Sequence, residues 1–160
     1  MTSDTFKEKA QTMRPMLMAT ARRIVDDEAE AEDVVQDALL RLWQLRDEPV
    51  QNVEGMARVV VQHLSIDAVR RRRENIPIEE IEVVGTSYSE GLSDTEMRMM
   101  TLIRQLPTLQ QTILRLRHVD EMEVFEIAEM IGATEAAVRQ SLSRARRKLL
   151  EQFTQKGLKR

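Results

Sequence analysis

Arg139, Gln140, Ser143, Arg146 and Arg147 fall on one side of a run that carries Val138, Leu142, Ala145 and Leu149 on the other. The four apolar residues recur at i, i+4, i+7 and i+11, the spacing of a single buried stripe on an α-helix. The opposite face supplies guanidinium, amide and hydroxyl groups, which hydrogen-bond to base edges and phosphates. The chemistry this set can do is recognition of duplex DNA, with no bond made or broken. Arg139 and Gln140 suit base edges. Arg144, Arg146 and Lys148 suit phosphates, which fix register without reading sequence. The residues just before them complete a helix-turn-helix: Ala128 is small where two helices cross closely, Gly132 can turn with positive φ, and Thr134 can cap the next helix.

Other residue sets that could do chemistry are sparse. His63 and His118 are far apart, there is no cysteine, and no His-x-x-x-His pair occurs. Two isolated imidazoles read more simply as surface or half-buried side chains than as metal ligands. No glycine-rich phosphate loop and no Ser/His/Asp set is present. The sequence therefore predicts no catalytic residues, no metal site and no cofactor. The stretch 26–37 holds seven acids and no base. It lacks the alternating ligands and central glycine of a calcium loop, and fits a helix N-terminus with an exposed acidic face on which a basic protein surface could dock. Arg70 to Arg73 form an unbroken basic run. Cations are favoured at a helix C-terminus, so the run gains meaning only from the helix that leads into it, which carries His63 and Asp67.

The elements that must position these residues are helical. Leu, Ala, Met, Glu, Arg and Gln dominate a chain of 160 residues in which aromatics make up 3% and glycine occurs five times. These are helix formers, and the fold class expected is all-α. The net charge of −3 is misleading for a DNA binder because charge is segregated. From Glu135 onward there are eight Lys/Arg against two Glu, whereas 74–96 holds seven acids and no base. Two basic and two acidic patches imply more than one kind of partner. The absence of cysteine fits a reducing compartment. No apolar run of membrane-spanning length and no apolar signal core occurs, so a soluble, cytoplasmic protein without stable membrane insertion is expected.

Two small helical modules joined by a flexible linker account for the pattern. The first spans 5–73. Asp26-Asp27 ends one helix near Val25, a longer helix follows over 29–44 with Val35, Leu39 and Leu42 toward the core, 46–52 with Pro49 forms a loop, and a second long helix covers 53–73. The segment 74–93, with Pro77, Gly85, Gly91 and many acids, has no sustained period and reads as the linker. The second module spans 94–153, with Leu106-Pro107 separating two helices and Leu109, Ile113 and Leu116 on the buried face of the helix before the helix-turn-helix.

Three segments in this order resemble one family: 31–43 (AEDVVQDALLRLW), 64–73 (LSIDAVRRRR) and 106–150. Together they are similar to bacterial RNA polymerase sigma factors of the sigma-70 family, and the short two-module layout resembles the extracytoplasmic-function group, which keeps only regions two and four. The resemblance implies that the first module is a region 2-like bundle and the second a region 4-like helix-turn-helix. It implies core RNA polymerase, through its largest-subunit clamp helices and its flap, promoter DNA, and an anti-sigma factor as partners. Asp33, Gln36, Asp37 and Leu40 would bind the clamp helices. The loop 46–52 would take a flipped base of the −10 element, and His63, Asp67, Arg70 and Arg71 would lie against the melting duplex. Arg139, Gln140, Ser143, Arg144 and Arg146 would meet the −35 element. The linker, roughly 20 residues, could reach about 70 Å if extended. The chain departs from the family at Met56-Ala57, where Trp-Leu is common, at His63, where Asn is common, and at Ala137, where Thr is common. Two other functions compete: a stand-alone helix-turn-helix regulator, which would need no acidic docking surface, and an adaptor that binds polymerase without opening promoters.

Overall fold

The computed structural model describes residues 2–74 and 94–158. Seven helices and no strand occur among them: α1 (Ser3–Arg22), α2 (Glu28–Gln44), α3 (Val53–Glu74), α4 (Asp94–Arg104), α5 (Thr108–His118), α6 (Val124–Ile131) and α7 (Glu135–Leu158). The fold is all-α, as the composition requires. The chain divides into two compact units, Met1–Asp47 with Ala57–Leu92 and Glu48–Met56 with Ser93–Arg160. The second unit thus takes in Glu48–Met56, a segment that the sequence pattern groups with the first module. Apart from Glu74, the linker expected over 74–93 lies outside the described residues.

In the first unit, α1 starts where the Thr2 hydroxyl accepts the Thr5 N–H at 3.2 Å, an N-cap that satisfies one orphan donor. It buries Met13, Leu17, Met18 and Ala21 and packs on α2. Pro15 sits inside α1 on an exposed face, where it supplies no N–H to the helix ladder. The Asp27 carboxylate caps α2 by accepting the Ala29 N–H at 3.2 Å, and Glu28 and Glu30 follow in the first turn, where the helix dipole favours negative charge. Ala31, Val34, Val35, Ala38 and Leu42 form the buried face of α2, while Leu39 is half-buried. Trp43 is half-buried too, its ring 5.2 Å from that of Phe6 and covered by the Arg46 guanidinium at 4.3 Å.

The side chain of Asn52 caps α3 by accepting the Gly55 N–H at 3.0 Å. Met56, where the resembling family commonly has tryptophan, is fully buried, its unbranched thioether filling the space. In the second unit, α5 begins directly after Pro107 (φ −51°), so the missing N–H falls where a helix has no internal partner for one. Leu109, Ile113, Leu114 and Leu116 of α5 are buried, and α7 packs on α4, α5 and α6.

Candidate nucleic-acid interface and docking surface

The helix-turn-helix is built from local signals that agree. The Glu126 side chain accepts the Glu123 N–H at 3.1 Å, one half of a capping box that starts α6. Ile127, Ala128 and Ile131 are buried, and α6 stops at Gly132, whose φ of 68° lies in the left-handed region. The Ala133 N–H then bonds the Ala128 carbonyl at 2.9 Å, closing the helix end. Thr134 restarts the chain as a cap, its hydroxyl accepting the Ala137 N–H at 3.0 Å. Along α7, Val138, Leu142, Ala145 and Leu149 are all buried, and Arg139, Gln140, Ser143, Arg144, Arg146 and Arg147 are all exposed. The row of donors expected from the sequence therefore stands on the free face of the helix. One ion pair lies along it, Arg139 Nη2 to Glu135 Oε1 at 3.3 Å.

Two contacts in this unit have no signature in the sequence. The first ties Glu48–Met56 to the end of α6. The Gln51 N–H donates to the Gly132 carbonyl at 2.8 Å, the Asn52 N–H to the Ile131 carbonyl at 3.1 Å, and Asn52 Nδ2 to the Met130 carbonyl at 2.9 Å. Three carbonyls that a helix C-terminus leaves unpaired are thus satisfied by a segment far away in the chain. Backbone approaches backbone so closely that a Cβ on Gly132 would strike the Asn52 nitrogen, and one on Gly55 would strike the Met130 carbonyl. Of the loop 46–52, the amides of Gln51 and Asn52 are therefore engaged, while 46–49 are exposed. The second contact joins α5 to α7: Arg146 reaches His118 Nε2, with Nη2 at 2.9 Å and Nε at 3.3 Å. Burial, then the charges of Arg146 and Arg117, push the His118 imidazole below its ordinary value. The same side of the unit holds an apolar cavity of about 390 Å³ with Met99, Ile103, Leu149 and Phe153 in its wall and His118 and Arg146 at its edge.

The first unit presents a different surface. The outer face of α2 exposes Asp33, Gln36 and Leu40, with Asp37 half-buried beside them. Leu40 is 66% exposed, an apolar side chain standing among acids. Neighbouring acids are used within the unit: Glu32 pairs with Arg14, Glu28 with Arg22, and Glu30 with Arg72. Asp37 accepts from Arg41 at 3.0 Å, one turn along the helix. An apolar centre with an acidic rim has the make-up of a protein-docking patch.

The four residues expected on the DNA side of α3 are placed unequally. Arg71 is exposed and Arg70 half-buried, whereas His63 and Asp67 are 6% and 4% exposed. Arg70 and Arg71 thus reach the surface of the first unit, and His63 and Asp67 lie beneath it on the same helix. Arg58 and Gln62, one turn apart on α3, are also exposed, and with Thr20 of α1 and Arg23 just past its end they line a cavity of about 480 Å³. Polar residues at i and i+4 within the otherwise apolar stretch 56–62 were the sequence signal for them.

Comparison with known proteins finds a family match in each half of the chain. The Sigma-70 region 2 family model matches residues 10–75 and the Sigma-70, region 4 model matches residues 96–149. The chain is similar to an RNA polymerase sigma-E factor of Streptomyces coelicolor, with 27% identity over 96% of this chain and 88% of that protein. It is also similar to the ECF RNA polymerase sigma factor SigJ of Mycobacterium tuberculosis, with 30% identity over 89% of this chain, and it spans 49% of that protein's length. Among solved structures, the sigma factor RpoE in complex with the anti-sigma factor NepR from Bartonella quintana aligns over 94% of this chain and 97% of that chain, with 23% identity and a TM-score of 0.42. The two regional matches, in order and together covering most of the sequence, carry the assignment: this chain belongs to the sigma-70 family of RNA polymerase sigma factors, in its extracytoplasmic-function group.

Proposed function

We propose that the exposed face of α7 reads the −35 element while the stripe on α2 holds core polymerase. Arg139 and Gln140 then meet base edges, and Ser143, Arg144 and Arg146 meet bases or phosphates at the rim of the major groove. Asp33, Gln36, Asp37 and Leu40 dock on the clamp helices of the largest subunit. The observation that carries this reading is the match between two independent features: an acidic, leucine-centred patch on one unit and a fully exposed donor row on a capped helix-turn-helix of the other. Neither a free-standing repressor nor a polymerase adaptor needs both.

At the −10 element, Arg70 and Arg71 would stabilise the separated backbone, and the exposed stretch 46–49 would receive a flipped base. Unstacking that base costs a few kcal/mol, which a fitted pocket offsets. No covalent step is asked of this chain; it supplies specificity and the polymerase does the chemistry. No helix among the described residues is long and apolar enough to cross a membrane. An anti-sigma protein would act by covering the α2 stripe or the apolar cavity of the second unit.

Runoff transcription with cognate core polymerase on genomic promoter fragments tests the reading. Starts that depend on this protein and map to defined sites are expected. Core binding without starts would identify an adaptor instead, and DNA binding without core binding a free-standing regulator. Adding a candidate anti-sigma protein should suppress the starts in proportion to complex formed.

A further inference from the structure

The contact between His118 and Arg146 is unused by the reading so far. A guanidinium only donates, so His118 Nε2 must accept, which fixes a neutral imidazole with its proton on Nδ1. Both residues are exposed, and Arg146 stands at i+7 from Arg139 and i+3 from Ser143, in one row along α7. From this geometry we infer that His118 is a positioning residue for −35 binding: it holds the Arg146 guanidinium in that row, aimed at a DNA phosphate.

Two physical points support the assignment. Arginine has a long side chain with much rotamer freedom, and a fixed partner in the free protein removes part of the ordering cost from the binding step. The nature of the partner matters as well. A carboxylate would hold the guanidinium but cancel its charge, and the phosphate would then have to displace it. A neutral imidazole engages Nε and one Nη2 proton and leaves the charge, both Nη1 protons and the second Nη2 proton for a phosphate. Arg139 shows the contrast, because its own partner is the Glu135 carboxylate. Arg117, on the same helix as His118, adds positive charge nearby and no competing acceptor.

This inference rests on the reading of α7 as the −35 helix, and its test separates the two. Binding of reconstituted holoenzyme to a promoter duplex is measured against salt for wild type, Arg139→Ala, Arg146→Ala, His118→Ala, His118→Gln and the His118→Ala/Arg146→Ala double variant. Arg146→Ala is expected to reduce the slope of log affinity against log salt by about 0.9, the share of one phosphate. His118→Ala is expected to weaken binding about two- to tenfold, the lower part of the range of coupled neighbours, and to add nothing once Arg146 is gone. His118→Gln should restore most of the loss, because the amide oxygen can accept from the guanidinium. A His118→Ala effect that persists in the Arg146→Ala background would overturn the positioning role, as would failure of the Gln variant at unchanged melting temperature. If Arg139→Ala alters discrimination and Arg146→Ala changes neither affinity nor slope, the −35 reading stands and the inference falls. If Arg139→Ala also has no effect, the −35 reading itself falls.

Discussion

Arg139 and Asp37 carry the two proposed functions on helices whose other faces are buried, so each can be changed without touching a core. Arg139→Ala should lose about 1–3 kcal/mol of discrimination at one −35 base pair if its contact is bidentate, and binding to all other sequences should converge toward the same value. Promoter selection from a randomised −35 library reads this directly. Asp37→Arg should weaken the complex with core polymerase and leave the free protein's melting unchanged within roughly 0.5 kcal/mol, as expected of a substitution on a surface. Because Asp37 also pairs with Arg41, an Arg41→Ala control is needed; it should retain core binding. His118 gives a pH signature. Its folded value lies below 6.5 because burial and two nearby arginines disfavour the cation, so the unfolded chain takes up the proton first. The stabilising contribution is complete above pH 6.5 and declines as pH falls from there through the folded value. Denaturant titrations of wild type and His118→Gln should diverge in that window, the variant being the flatter of the two.

At the scale of elements, periodicity was enough for most of what positions the interface. The helix expected over 29–44 is Glu28–Gln44, that over 53–73 is Val53–Glu74, and every member of the stripe Val138, Leu142, Ala145 and Leu149 is buried. Gly132 and Thr134 were legible for the same reason, since left-handed φ and N-capping are local properties of a residue type. What escaped was set by partners distant in sequence. His63 and Asp67 lie on the helix that was expected, yet which of its faces is covered depends on packing that no window of that helix contains. His118 looked like an isolated imidazole because Arg146 is 28 residues away. Pro15 went unread because a proline normally argues against the interior position that it occupies. Gly132 offers the sharpest test among the elements. Gly132→Ala places a Cβ at positive φ and against the Asn52 nitrogen, so a destabilisation of about 1–3 kcal/mol is expected, with loss of −35 binding at temperatures where wild type still binds. Thermal melting followed by circular dichroism measures the first, and promoter binding of the holoenzyme across temperature the second.

On the scale of the whole molecule, the charge map and the two units give one protein two kinds of partner, and salt should act on them differently. The α7 interface is ionic with phosphate and should weaken steeply with salt, whereas the α2 patch has Leu40 at its centre and should weaken less. Titrating salt against holoenzyme assembly and against promoter binding in parallel should separate the two curves. The second unit also draws on Glu48–Met56, so a fragment covering 94–158 lacks the donors that satisfy Met130, Ile131 and Gly132. That fragment should be less stable by about 0.5–1.5 kcal/mol for each bond not replaced by water, as native-state hydrogen exchange of α6 and α7 amides would show. The same arrangement sets an order of events on the ribosome. Asn52 leaves the exit tunnel 78 residues ahead of the Met130 carbonyl that it will bind, a wait of roughly 4–16 s at 5–20 residues per second. Until then the Asn52 Nδ2 and backbone N–H have only water to bond, and the turn of the DNA-reading motif reaches its final bonding only after that wait, even though all of its local signals lie within a dozen or so residues of one another.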